Sequence, residues 1–129
     1  MENKEASYEL LDLSQVNMIL ECGGDEAVEL FNEILELFEE ESRVKLQDLN
    51  SAKAAGEGEA FSNAAHALAG SGANIGGKAV WLMAKDMENL SRKGEVTRAF
   101  GMLTDLEGQF EATLRQLRQY VRSVTAGES

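Results

Sequence analysis

Proline is absent from this sequence of 129 residues, and with it the strongest local interrupter of long helices. Leu, Glu, Ala, Lys and Met fill the long stretches, and little favours strands, so an all-α protein is expected. Cysteine occurs once, as Cys22 beside a glycine pair. One cysteine excludes an intrachain disulfide, and such a lone thiol reads as a small buried apolar group in a reducing, cytoplasmic setting. Basic residues are scarce, 12 Lys and Arg against 23 Asp and Glu, and the formal charge of −11 repels nucleic acid phosphates and anionic membrane surfaces alike. No apolar run approaches the roughly 20 residues that span a bilayer, and "MENKEASYELL" lacks the basic start and apolar core of a signal peptide. A soluble cytoplasmic chain with neither nucleic acid nor membrane as partner is the expectation.

What is present suits one globular domain: 43% hydrophobic and 27% charged residues in a chain long enough to bury a single core. "LDLSQVNMILECGGD" reads as a short first helix, capped by Asp12 or Ser14, carrying Val16, Ile19 and Leu20, and stopped by Gly23 and Gly24. A second helix from Asp25 to about Ala55 follows from Phe31, Leu35, Phe38, Leu46, Leu49 and Ala52, with Leu30, Ile34 and Leu37 beside them. "EEES", Glu39 to Ser42, reads as a solvent-facing acidic interruption of that stripe. A third helix after "GEGE" places Phe61, Ala65, Leu68, Gly72 and Ile75 on one face and ends or kinks at Gly76-Gly77. The fourth turns Val80, Met83, Met87 and Leu90 inward and ends near Gly94. The last, about Val96 to Val124, carries Leu103, Leu106, Phe110, Leu114, Leu117, Val121 and Val124 close to a heptad repeat. These elements predict an antiparallel four-helix bundle over residues 8–124, with the short first helix capping one end and frayed termini at 1–7 and 125–129.

The only histidine, His66, sits in "NAAHALAGSGANIGG", among the smallest side chains available. On a helical wheel of about 100° per residue, Glu59, Ser62, Asn63, Ala69, Gly70 and Ala73 fall within about 60° of it, while Phe61, Leu68, Gly72 and Ile75 fall opposite. The imidazole therefore projects away from the core with nothing tall beside it. Each glycine inside a helix costs about 1 kcal/mol relative to alanine. Close packing accounts for Gly72 on the core side, whereas Gly70 leaves open room one turn from the ring, enough for a tetrahedral group or another protein's backbone. On spacing alone the ring is either a solvated surface residue or an accessible base. A zinc centre is excluded, since one His and one distant Cys fall short of the usual three or four ligands, so no metal and no cofactor is expected. No G-x-S-x-G or related nucleophile motif supports a hydrolase.

"AHALAGSGANIGG" from Ala65, followed by "KAVWLMAKDMENL", resembles the signature of histidine-containing phosphotransfer (HPt) domains, A-H-x-L-K/A-G-S/A-x4-G-A/G-x2-L-x6-L-E. Ala65, His66, Leu68, Ala69, Gly70, Ser71, Gly76, Gly77, Met87 and Glu88 fall on the pattern, and Val80 stands where leucine is usual. The likeness runs from about Leu11 to Gly94, with the last helix agreeing in character only. It implies a phosphorelay intermediate in which His66 accepts a phosphoryl group from the aspartate of one receiver domain and passes it to another. A hybrid sensor histidine kinase and response-regulator receiver domains are the implied partners, with magnesium and the remaining machinery supplied by the receiver. The chain is then a carrier with no turnover of its own, and its complete set of amphipathic helices suggests a monomer.

The sequence departs from many members in one respect. They carry lysine three residues after the histidine, where this chain has Ala69. Lys78, Lys85 and Arg92 recur every seven residues along the fourth helix, either as a solvated face or as cations that hold the phosphoryl group or steer an acidic partner. Ser62 and Asn63, one turn before His66, either hydrogen-bond the ring or phosphoryl oxygens or face water. Trp81 and Leu82 lie off the inward stripe and are expected under the first helix. Ala69 also admits another reading, a helical adaptor that binds receiver domains or kinases without being phosphorylated.

Overall fold

The computed structural model describes residues 8–125, and every regular element among them is helical. Helix α1 (Leu13–Cys22) leads through a 3-10 turn at Gly24–Glu26 into α2 (Ala27–Ala55), followed by α3 (Gly58–Ile75), α4 (Lys78–Arg92), α5 (Val96–Gly101) and α6 (Leu103–Thr125). The four long helices form the bundle. α3 lies between α2 and α4, and α6 closes the bundle against both. Antiparallel pairing of α2 and α6 is fixed by the contacts of Glu39 with Arg118, Arg43 with Glu111, and Asn50 with Glu107.

The apolar stripes meet where their spacing places them. Phe31 and Leu49 of α2, Phe61 and Leu68 of α3, Val80 and Met87 of α4, and Leu106, Phe110 and Leu117 of α6 are all fully buried. Each such side chain contributes about 1.5–3 kcal/mol relative to exposure.

Left-handed glycines set the corners. Gly56 (φ +68) ends α2, its N–H donating to the Lys53 carbonyl, and Gly76 (φ +85) ends α3. Gly76 is confined for a second reason, because a Cβ there would stand 2.7 Å from Val16 Cγ2 and 2.9 Å from the Asp12 carbonyl oxygen. α1 is thus seated on the α3–α4 corner. Asp12 caps it through Oδ1, which accepts from the Gln15 N–H, while the Asp12 N–H donates to the Gly76 carbonyl (2.8 Å) and Gln15 Nε2 to that of Asn74 (2.8 Å). Tyr120 of α6 donates its hydroxyl proton to Asn17 and completes the cap.

The structure corrects several expectations. The last helix is broken: α5 packs on α4, with Phe100 edge-on to Phe61 at 4.8 Å, and the chain turns at Met102 before α6 runs back along the bundle. One straight helix would not serve both contacts. "EEES" does not interrupt α2, which is continuous through it; Ser42 is fully buried and Glu39 is paired with Arg43 and Arg118. α1 packs mainly on α2 and α3 and does not cover Leu82. Trp81 is half-buried against the core, and Leu82 stays 48% exposed. Cys22 is exposed, not buried, and so is Val124 near the end of α6. Thr125 closes α6 instead of fraying, and residues 1–7 and 126–129 lie outside the described part of the chain.

Candidate functional site

His66 lies at the middle of α3, a helix built from alanine and glycine with one buried face of Phe61, Ala65, Leu68, Gly72 and Ile75. α3 and α4 approach closely because Gly72 has no side chain: a Cβ there would lie 3.0 Å from the Trp81 backbone nitrogen and 3.3 Å from the Gly77 carbonyl oxygen. That approach brings α4 side chains up to the histidine. The imidazole is 64% exposed, as the helical wheel predicts.

The ring is not free to turn. Its Nδ1 stands 2.9 Å from Oε2 of Glu88, a residue of α4 whose side chain is only 4% exposed. A carboxylate has lone pairs and no proton to give, so Nδ1 carries the hydrogen and donates it, and the lone pair of the ring resides on Nε2, the outer nitrogen. A buried acceptor behind a histidine fixes tautomer and orientation together.

Glu88 gathers two cations as well. Arg92, one turn on, reaches Oε2 at 3.0 Å, and Lys85, one turn back, stands 3.7 Å from Oε1. The second distance is too long for a hydrogen bond, which leaves Oε1 buried without a hydrogen-bond partner. Lys85 and Arg92 are half-exposed, so their charge is presented to solvent beside the ring.

The other sequence-derived candidates separate into two groups. Gly70 is exposed, and a Cβ added to it would meet no atom within 4 Å, so the space beside His66 is open. Asn63 is exposed, Ala73 is half-buried, and Lys78 is exposed at the first turn of α4 with no ion pair among the described residues. Ser62 and Ala69 are buried on the α4 side of the ring, with Ser62 at the floor of a groove shared with Asn63 and Arg92. Ser62 is 4% exposed and donates its hydroxyl proton to the Glu59 carbonyl, and Ala69 is 5% exposed within the core. Both sit on the edge of the wheel nearest Gly72, the side that α4 covers.

Glu88 falls on the motif, yet sequence reasoning assigns it no role. The available signal is a carboxylate on the inward stripe, one residue after Met87, flanked by cations at i−3 and i+4. No cluster of metal-ligating side chains occurs among the described residues, and no helix there is long and apolar enough to cross a membrane.

An all-helical bundle that bares one imidazole, orients it from behind with a buried carboxylate and borders it with cations has the parts of a histidine-based phosphoryl carrier. The chain belongs to the Hpt domain family, whose model matches residues 33–120. It is similar to the crystal structure of histidine-containing phosphotransfer protein B (HptB) from Pseudomonas aeruginosa PAO1, with a TM-score of 0.72 and 26% sequence identity over 88% of this chain and 95% of that one. No curated protein sequence matches it. The protein is a histidine phosphotransfer intermediate of a phosphorelay, and its family works with the receiver domains and histidine kinases of two-component signalling.

Proposed function

We propose that Nε2 of His66 is the atom that carries the phosphoryl group. The observation behind this is the Nδ1–Glu88 contact, which directs the Nε2 lone pair into the open space above Gly70. In the forward step that lone pair attacks the phosphorus of a receiver's aspartyl phosphate. A P–N bond forms, the P–O bond to the aspartate breaks, and the aspartate leaves as its carboxylate. Nδ1 keeps its proton throughout, so the ring becomes cationic once Nε2 is bonded to phosphorus, and the Glu88 carboxylate offsets that positive charge. The second step reverses the first, with the carboxylate of another receiver attacking phosphorus and the imidazole leaving.

Lys85 and Arg92 flank Glu88 beside the ring, half-exposed, and this supports a role for them as the cations that attract the anionic oxygens of the group, in place of the lysine that Ala69 replaces on α3. Lys78 is more distant along α4 and contributes long-range attraction to an acidic partner. Asn63, Gly70 and Ala73 border the space through which the partner reaches the ring. The chain acts as a cytoplasmic monomer, a single domain over residues 8–124, and a carrier with no turnover of its own.

The test is incubation with a phosphorylated receiver domain. The expected result is acid-labile, alkali-stable label that vanishes in His66→Gln with the fold unchanged by circular dichroism. Label persisting in that variant would overturn the assignment. Partner affinity without any label in the unaltered chain would instead support an adaptor that works by binding alone.

A further inference from the structure

The corner between α3 and α4 consists of Gly76 and Gly77 alone, and neither brings a side chain to the helix ends it joins. Those ends are satisfied from elsewhere, by residues 8–22. The Leu10 carbonyl accepts from the Ala79 N–H in the first turn of α4 (3.1 Å), a turn for which the N-cap Gly77 has no capping side chain. The Gly76 carbonyl accepts from the Asp12 N–H and the Asn74 carbonyl from Gln15 Nε2, each at 2.8 Å. Leu11 is buried and anchors the segment in the core. Helix α6 holds it down from outside. Gln116 Oε1 accepts the Leu10 N–H (3.1 Å), Tyr120 donates its hydroxyl proton to Asn17, and Tyr8 stands edge-on to the Tyr120 ring at 5.1 Å. One segment thus ties together the end of α3, the start of α4 and the side of α6.

We propose that residues 8–22 are a clamp that sets the angle of α4 against α3 at His66, and that Gln116 and Tyr120 of α6 are positioning residues for phosphoryl acceptance, acting through α4 rather than by contact with the ring. The proposal rests on His66 as acceptor and on Glu88 as the residue that orients it. Glu88 lies about 15 Å along α4 from Lys78, at about 1.5 Å per residue. A tilt of α4 away from α3 by about 3° at the corner moves Glu88 by about 0.8 Å, which carries its 2.9 Å contact with Nδ1 past hydrogen-bond length. The buried Glu88 side chain has little room to follow. Val80, Ala84 and Met87 also hold α4 on the bundle. Apolar contact is non-directional, however, whereas the hydrogen bonds at the corner specify angle as well as distance.

Labelling by phosphoramidate, a small donor that needs no docked protein, and the nitrogen NMR shifts of His66 test the clamp together. The double variant Gln116→Leu/Tyr120→Phe is expected to slow labelling about three- to tenfold and to move the ring from one tautomer, with hydrogen on Nδ1, toward a mixture. Tyr120→Phe alone removes a single hydroxyl and is expected to move both readouts the same way by less; it carries the test if the double variant does not fold. Gln116→Glu keeps an acceptor oxygen for Leu10 and is expected to label within about twofold of the unaltered chain. Gln47→Gly, at an exposed site of α2 outside the clamp, weakens the fold through helix propensity and is expected to change neither readout. In a Glu88→Ala background the double variant is expected to slow labelling no further, because the clamp acts through that carboxylate. Rate and shifts of the clamp variants equal to those of the unaltered chain would overturn the clamp, as would equal slowing in Gln47→Gly or full additivity with Glu88→Ala. Label surviving in His66→Gln removes the acceptor itself, and an unaltered rate in Glu88→Ala removes the orienting carboxylate. Slowing in Glu88→Ala with none in the clamp variants removes the clamp alone.

Discussion

The carboxylate of Glu88 lies 2.9 Å from Nδ1 of His66, across a helix interface and 22 residues further along the chain. The exposed ring is thus held by a buried residue of another helix. Glu88→Ala is expected to leave the fold intact and slow receiver-to-histidine transfer roughly 10–100-fold, the usual cost of losing an orienting partner behind a functional histidine. Nitrogen NMR shifts of the ring check the cause directly. The unaltered chain should show one tautomer with hydrogen on Nδ1, and the variant a mixture; an unchanged tautomer and rate would reject the orienting role.

Gly70 and Gly72 are two residues apart on α3 and should respond oppositely to alanine. Nothing lies within 4 Å of a Cβ at Gly70, so Gly70→Ala is expected to raise stability by up to about 1 kcal/mol through helix propensity alone. At Gly72 the new methyl would press on the α4 backbone at 3.0 Å, and a loss of about 1–3 kcal/mol is expected. Urea unfolding of the two variants measures both signs.

Ser42 of α2 and Thr113 of α6 are fully buried, and their hydroxyl oxygens have no hydrogen-bond partner. A buried hydroxyl without a partner opposes folding. Thr113→Val and Ser42→Ala are each expected to leave stability unchanged or raise it by about 1 kcal/mol, read as a shift in the urea midpoint at constant slope. A clear loss in Thr113→Val would show that the hydroxyl is satisfied in solution.

On the side of the bundle where α2 meets α6, Arg43 donates to both Glu39 and Glu111, while its guanidinium lies over the Phe110 ring at 5.2 Å. Hydrogen bonds from Arg43 hold both carboxyls below their ordinary value of 4.5, with Arg118 also lowering Glu39. Because the folded values are lowered, this pairing contributes stability above the unfolded carboxylate range and loses it as pH falls through the folded values. The groups are half-exposed, so the contribution is small and screened by salt. Glu39→Gln and Glu111→Gln should flatten the acid limb of a stability-against-pH curve below about pH 4.5, and high salt should shrink their difference from the unaltered chain.

Helical periodicity makes most of the bundle legible in the sequence. The inward positions of α2, α3 and α6 fall on the core, because apolar spacing records which way each helix faces. The exposure of His66 follows from the same wheel. What periodicity does not contain is how one helix slides and rolls against the next. Ser62 and Ala69 lie as near to His66 on the wheel as residues that line the opening, yet α4 covers their side. Glu88 comes to His66 only through helix register. The break at Met102 is hidden by a heptad pattern that begins at Leu103 and says nothing of the turn before it. At "EEES", three adjacent glutamates suggest solvent, although one turn of helix distributes four residues around all sides, and Ser42 takes the inner one.

The orienting carboxylate on α4 couples chemistry to folding. A copy whose fourth helix has peeled off still owns its histidine, but the ring spins and the proton wanders between its two nitrogens. If His66 is the acceptor, damaged or nascent molecules are expected to take up phosphate more slowly, which favours passage of the signal through chains whose two central helices are docked.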